Sequence, residues 1–519
     1  MSEVPTGPAP GPRAQAETER KFALLPGAQL PDLAGIAIIG DPEVQELDAT
    51  YFDSPSYELN RARITLRRRT GGSDAAWHVK LPPVEGTRTE LHVPLDATPD
   101  PLVVPRSLRT VVGERVGAVA LVPVARLRTV RTVRQLSDPQ TGTPLAELAD
   151  DEVTATRFPL PGRQGTETTW REIEVELHEG SRSFLDAVTE RFQWAGIVPA
   201  SSPAKINQAL GDAPARAAAH VPSSDDLLSQ TVLAALATHV GVLQGREEAV
   251  AADAPDAVHK ARVAARRLRS ILRVFRDLFE AEAVGSLREE LQWYATELGH
   301  ARDAEVQKVK LLDRLDALPP ESVIGPVRAR METELERTHQ EGLAGVAACL
   351  ADARYTRLMV TLSRWLTDPP LVAVADARVS ERAIALLDKA IKRVRKAHDA
   401  AEQSEGQERL EALHEVRKKS KVVRYACEAL IAVYGEPAAS SARDWEAVTE
   451  VFGEMNDAAV ARQRLLRLAD AAAAAGEPTF TYGVLYGTQM GDLDRDLPAA
   501  RAALRRAVRR GPDSWADTD

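Results

Sequence analysis

The hydrophobic period of the chain changes once. Before about residue 211, apolar and polar residues alternate; after about residue 224, apolar residues recur at three and four spacings. Alternation places successive side chains on opposite faces of a strand, whereas the three-four recurrence lines one face of a helix. The chain is therefore expected to be an α+β multidomain protein, a β half followed by an all-α half. Its 519 residues allow two or three domains. The alternating segments are 17–25, 61–69, 76–81, 126–136 and 171–177. Thr70-Gly71-Gly72-Ser73-Asp74, Pro82-Pro83, Asp138-Pro139 and Gly162 separate them as turns. Short strands so spaced predict an antiparallel sheet or barrel, with one amphipathic helix at about 182–195. Helices are expected at 226–247, 256–280, 285–315, 325–350, 353–367, 379–402, 408–433 and 441–470. The stretch 211–224, rich in Ala, Pro and Ser, reads as a linker, and residues 1–15, with four Pro and two Gly, as a disordered tail.

The helical half is written twice. His259, Arg262, Arg266 and Arg269 recur as His414, Arg417, Lys421 and Arg424 at a constant offset of 155. Leu298-Gly299 and Asp303 recur as Phe452-Gly453 and Asp457 at an offset of 154. Such matching implies two pseudo-symmetric helical bundles, about 225–370 and 378–515, within a region spanning 225–515. The first basic stripe continues to Arg273, and residues 258–276 hold seven Lys or Arg and no acid. Like charges four residues apart repel, so this stripe does not serve helix stability. Two such stripes brought together would suit a multivalent phosphate polymer. Arg302/Asp303 and Asn456/Asp457 read as structural ion pairs or helix-end contacts. The second copy has Lys421 for Arg266 and Glu428 for Arg273, so the two faces are not equivalent.

The summed charge of −10 argues at first against a polyanion ligand, but the local distribution outweighs the sum. Two cysteines, Cys349 and Cys427, exclude a disulfide framework and a zinc ribbon and suit a reducing cytoplasm. The longest apolar stretch, 116–125, contains Pro123 and falls short of the roughly 20 residues of a membrane span. Walker A, GxSxG, HExxH and GxGxxG motifs are absent. Trp77 and Trp170 read as packing residues.

In the β half the charges are sorted by strand face. Glu17, Glu19 and Lys21 share a face, as do Arg63, Arg67 and Arg69, His78 and Lys80, and Glu172, Glu174 and Glu176 opposite Ile173, Val175 and Leu177. A closed sheet with these faces inward has a lumen of carboxylates, which need cations, and of Arg and Lys, which need an anion. A divalent metal with a phosphate chain satisfies both.

Glu17-x-Glu19-x-Lys21 resembles the ExExK signature of the CYTH, or triphosphate tunnel metalloenzyme, superfamily. The likeness extends over about 16–210 through Tyr51-Phe52-Asp53, Leu66-Arg67-x-Arg69, Trp77-x-x-Lys80-x-Pro82, Glu172-x-Glu174-x-Glu176-Leu177 and Ala204-Lys205. The resemblance implies an eight-stranded antiparallel tunnel that binds a triphosphate with Mg²⁺ or Mn²⁺, one metal activating water for attack on the terminal phosphorus. It assigns phosphate oxygens to Lys21, Arg67, Arg69, Lys80, Lys205 and an arginine that falls at Arg128 or, preferred here, Arg131. It assigns metal to Glu17, Glu19, Glu172, Glu174 and an aspartate taken as Asp150 over its neighbour Asp151. The catalytic set so implied is Glu17, Glu19, Lys21, Glu172 and Glu174.

Residues 258–269 (VHKARVAARRLR), 298–306 (LGHARDAEV) and 413–428 (LHEVRKKSKVVRYACE) resemble the CHAD domain, the conserved histidine α-helical domain. The resemblance implies inorganic polyphosphate bound by His259, Arg262, Arg266, Arg269, His414, Arg417, Lys421 and Arg424. Together the two likenesses imply a cytoplasmic, metal-dependent inorganic triphosphatase, with association to polyphosphate granules as an extension. Its partners would be tripolyphosphate and long-chain polyphosphate, with no membrane and no nucleic acid. The competing readings are a non-catalytic polyphosphate receptor, and a nucleotide or thiamine triphosphatase or adenylate cyclase of the same superfamily.

Overall fold

The structure, a computed structural model, describes residues 13–16, 18–25, 27–83, 89–98, 100–200, 202 and 204–515. Chain contacts divide it into two units, Met1–His220 with Leu362–Asp368, and Val221–Thr361 with Pro369–Asp519.

The first unit is built on eleven strands: β1 (Arg13–Ala16), β2 (Glu19–Leu24), β3 (Ile38–Ile39), β4 (Glu43–Asp53), β5 (Thr65–Thr70), β6 (Ala76–Lys80), β7 (Thr89–Val93), β8 (Val122–Ser137), β9 (Pro144–Arg157), β10 (Thr166–Leu177) and β11 (Val198–Pro199). The order β1-β7-β6-β5-β4-β8-β9-β10-β2-β11 is antiparallel throughout, with β3 added to β8. β1 and β2 follow one another in the chain. β1 pairs with β7 and β2 with β10, so this one segment joins both ends of the sheet and closes a ring of eight staves.

Alternation then sorts the side chains. Outward residues of β2, β8, β9 and β10 (Phe22, Leu136, Leu148, Ile173 and Val175) pack against Leu185, Val188 and Phe192 of a helix, α3 below. On the other side Phe52, Leu66, Trp77 and Val79 pack against Leu108 and Val112 of α2. These two outer cores hold the ring, and Trp77 is the packing residue expected. The unit's helices are α1 (Glu58–Arg61), α2 (Arg106–Val116), α3 (Arg182–Trp194), α4 (Lys205–Leu210) and α5 (Ala213–Ala219). Ser181 caps α3 by accepting from the Phe184 amide. α5 lies in the stretch read as a linker. Its sequence APARAAA is a strong helix former with proline in the first turn, where no amide hydrogen is needed.

The second unit contains α6 (Leu228–Ala251), α7 (Ala257–Val274), α8 (Ala281–Asp316), α9 (Val327–Ala351), α10 (Ala353–Thr367, whose residues from Leu362 on count with the first unit), α11 (Val379–Gln403), α12 (Gly406–Ala429), α13 (Ile431–Tyr434), α14 (Glu436–Ala474) and α15 (Phe480–Arg509). α6–α9 form one four-helix repeat and α11, α12, α14 and α15 the other. They meet along α7 and α12. At another place α8, α9, α14 and α15 share a core of Leu311, Met331, Leu335, Leu465 and Tyr482. α15 has no counterpart among the expected helices; Pro498 lies inside it. No helix among the described residues is long and apolar enough to cross a membrane.

Candidate active site and anion-binding helices

The ring encloses a cavity of about 110 Å³. Glu19, Lys21, Arg67, Arg69, His78, Lys80, Arg131, Glu174, Glu176 and Lys205 line it. Glu172 shares their face beside Glu174. Glu17 lies outside the described residues. The arginine ambiguity resolves to Arg131: Leu127, Thr129 and Arg131 point inward, and Arg128 is exposed on the other face.

Two expectations need correction. Asp150 pairs across the sheet with Ile173, so it shares Ile173's outward face, where Arg171 holds it through two hydrogen bonds of 2.8 and 2.7 Å. Asp151 pairs with Glu172 and faces the lumen, completely buried. Arg63 is not on the strand; it sits before β5 in the left-handed region at φ 58° and lies off the lumen wall.

One wall of the lumen is acidic. Lys205, the first residue of α4, places its ammonium 2.9 Å from Asp151, 2.7 Å from Glu172 and 2.6 Å from Glu174. The carboxylate oxygens of these three converge within 4.8 Å of one another. Arg131 takes Asp151 at 2.8 and 2.7 Å and Glu174 at 2.6 Å, and Lys21 bonds Glu174 and stands 3.2 Å from Glu19. Burial alone would raise the Glu174 carboxyl, but Lys205, Lys21 and Arg131 hold it well below the usual carboxylate range. Burial would likewise lower Lys205, and Glu174, Asp151 and Glu172 raise it instead. Glu174 and Lys205 are thus both charged at neutral pH. Five acids (Glu19, Asp151, Glu172, Glu174 and Glu176) stand with three bases (Lys21, Arg131, Lys205), and this acidic excess favours a further cation. The Lys205 ammonium occupies the place such a cation would take, so the donor set fits a hard divalent ion of oxygen ligands.

The facing wall is basic. Arg67 and Lys80 share Glu90, a residue the sequence reading passed over: Lys80 lies 2.9 Å and Arg67 3.7 Å from it, while Arg69 pairs with Asp74. Burial, then repulsion from Arg67 and Arg131, lowers Arg69 to about 9. His78 hydrogen-bonds Glu90 at 2.8 Å and the Asp74 carbonyl at 3.0 Å. Burial drives its imidazole to about 4; the Glu90 hydrogen bond opposes this, and Arg67 and Arg69 add to it. Both ring nitrogens of His78 are thus engaged, one by Glu90 and one by the Asp74 carbonyl, so it is not free to grip phosphate. His78, Glu90 and His92 also bring three ligand atoms within 4.8 Å. With Lys80 on Glu90 and two guanidiniums beside it, this group is the poorer place for a cation.

The supports are local. Asp53, buried, accepts from the amides of Ser54, Leu59 and Asn60 and so folds the α1 turn. Burial raises its carboxyl to about 7 against those bonds. Asn60 in turn bonds Asn207 at 2.8 Å, fastening the helix that presents Lys205. Trp170 donates to Glu172 at 2.7 Å, a positioning contact in addition to packing.

In the helical unit the basic stripes of α7 and α12 meet. Lys421 lies in the field of Arg266, Arg417 and Arg262; burial first, then these three, lowers its amine to about 6. Two glycines missed as functional make room for the stripes. A Cβ on Gly299 would lie 3.4 Å from the Arg262 guanidinium, and one on Gly453 3.3 Å from that of Arg417. Asp303 holds Arg262 at 2.5 Å and Asp457 holds Lys310 at 2.7 Å. Arg302 pairs with Glu305 at 2.7 Å; the Asn456 side chain lies outside the described residues. His259 and His414 occupy equivalent half-buried places on α7 and α12. Arg424, expected at the phosphate face, is instead bound to Glu428 at 2.8 Å and Glu446 at 2.5 Å. Both cysteines are buried and free, and burial raises their thiols, so neither is a ready nucleophile.

A closed antiparallel ring with an acidic and a basic wall, and a twofold helical repeat with a basic seam, together define a class of tunnel protein with an appended α-helical module. The chain belongs to the family that joins a CYTH domain, matched at residues 15–209, to a CHAD domain, matched at 234–466. Members of the CYTH superfamily are triphosphatases and cyclases, acting on triphosphate-type substrates with divalent metal. Two Mycobacterium tuberculosis proteins described as uncharacterized, from strains CDC 1551 and H37Rv, are each 37% identical over 534 residues, covering 97% of this chain and 99% of theirs. The crystal structure of the CHAD domain from the plant Ricinus communis is similar to 55% of this chain, covering 94% of its own, at 27% identity and a TM-score of 0.45.

Proposed function

We propose that the tunnel hydrolyses inorganic tripolyphosphate and that the helical repeats bind inorganic polyphosphate. The observation that carries the first part is the Lys205 ammonium held among Asp151, Glu172 and Glu174, opposite the anion-seeking wall of Arg67, Arg69 and Lys80. A cation among the carboxylates would release Lys205, Lys21 and Arg131 toward phosphate oxygens. Bound Mg²⁺ or Mn²⁺ would neutralise phosphate charge and lower the pKa of a water. The protein's own part is positioning and charge neutralisation: Arg67, Arg69, Lys80 and Arg131 orient the phosphate chain, and Glu19, Asp151, Glu172 and Glu174 hold the metal.

The lumen favours an unadorned phosphate chain. Its volume is small, about 110 Å³. Among its described lining residues the only rings are Tyr51 and His78, and both are buried, so neither offers an exposed face to a base. Purified full-length protein with Mg²⁺ or Mn²⁺ is expected to release phosphate from tripolyphosphate in preference to ATP and thiamine triphosphate. Glu19→Ala should abolish this while polyphosphate binding persists. Folded protein that releases no phosphate with either metal would refute the catalytic reading and leave a receptor.

The polyphosphate reading rests on the doubled basic seam. It carries a pH signature. Lys421, lowered to about 6 among arginines, is mostly neutral at pH 7 in the free protein, and a bound polyanion would recharge it. Binding therefore takes up a proton, and affinity should fall as pH rises from 6 to 9. Titration calorimetry in buffers of different ionisation enthalpy measures the uptake. Lys421→Arg, always charged, should flatten the profile; an equally steep profile in that variant would contradict the assignment.

A further inference from the structure

The two basic stripes meet around Arg262, Arg266, Arg417 and Lys421. α7 and α8 form a hairpin through residues 275–280, and Arg262 lies against Gly299. From that contact α7 runs on to Arg273, and α8 runs back by the same number of positions to Arg288. Each path is about three helical turns, so Arg273 and Arg288 come level on the same side of the hairpin. The Nε atoms of Arg266, Arg269 and Arg288 are buried without a hydrogen-bond partner. Among the described residues no carboxylate lies within ion-pair distance of these three or of Arg273. Mutual repulsion is felt there: burial and the neighbouring arginines lower both Arg269 and Arg288.

The same construction in the second repeat gives the opposite charge. Arg417 lies against Gly453, and equal steps along the two helices lead to Glu428 and to Ala442. Glu428 is engaged on both sides, 2.9 Å from Arg267 of α7 and 2.8 Å from Arg424. The end that is open and cationic in the first repeat is closed and neutralised in the second.

We propose that the anion track is one-sided: a polyphosphate held where α7 meets α12 continues over Arg273 and Arg288 of the first repeat, and Glu428 turns it away from the second. This rests on polyphosphate being the ligand of the helical unit. A chain bound in this way has a fixed direction of exit, which a symmetric seam would not impose.

The test measures binding of medium-chain inorganic polyphosphate to the full chain at several salt concentrations. Arg288→Ala should weaken binding about tenfold, as for one charge-assisted phosphate contact, and make the log–log salt slope shallower by about 0.7–0.9. Arg273→Gln should do the same and serves if Arg288→Ala melts early. Glu428→Arg should tighten binding, and Arg443→Ala, beside Ala442, should leave it within twofold. Arg288→Ala and Arg273→Gln both within twofold of the parent would overturn the one-sided track, as would weaker binding by Glu428→Arg. A parent protein that does not bind polyphosphate at all fails the underlying reading instead, so the two failures are told apart.

Discussion

Asp151→Asn should cut phosphate release from tripolyphosphate by at least about a hundredfold, the usual scale for removing one preorganised electrostatic contact, whereas Asp150→Asn should leave turnover nearly intact. The two carboxylates are adjacent and chemically identical; only the strand's alternation separates them. Asp151 faces the lumen beside Glu172 and meets Lys205 and Arg131. Asp150 meets Arg171 on the outer face, so its loss costs stability, about 1–3 kcal/mol for a partly buried charged pair left half-made. Thermal melts read beside the activity assay separate the effects. Full turnover in a folded Asp151→Asn variant would mean that the acidic wall is not the reaction centre, and equal loss in both variants would overturn the division of the two aspartates by strand face.

The second large effect is expected in the helical unit. Arg262→Glu with Arg417→Glu should lower polyphosphate affinity by about a thousandfold, since two charge-assisted contacts are lost and two repulsions added. The glycine recesses at Gly299 and Gly453 hold these guanidiniums at equivalent places in the two repeats. Because Asp303 lies beside Arg262, the Gln/Gln variant is the gentler companion and should still lose more than tenfold. Binding within tenfold of the parent by the folded Glu/Glu variant would place the ligand elsewhere.

The change of period was enough to read the β half and the helical half from residues alone, and the recurrence of the basic stripe at an offset of 155 gave the repeat. Strands with clean alternation, such as 171–177, were legible because one face is apolar. β9 was not: LAELADDEVTA puts small residues and paired acids together, and the same feature led to Asp150 over Asp151. β7 escaped because TELHV offers only two apolar residues, and with it went Glu90 and the arrangement of the basic wall. Arg63 looked like part of a stripe because spacing alone does not register a left-handed turn. Arg424 fitted the offset perfectly, but its commitment to Glu446 depends on α14, a different helix.

The segment that closes the ring has a consequence for biosynthesis. Residues 13–24 leave the ribosome before any of their partners. His92, which faces Arg13, is made only with β7, and Glu176, which faces Glu19, only at the end of β10. The β1 end of the closing segment must therefore wait for β7, and its β2 end stays unpaired until nearly the whole unit has been synthesised. Such distant pairings fold slowly and leave β edges open to wrong partners. Yield in the cell should accordingly depend on what shelters that segment during translation more than on the stability of the finished ring.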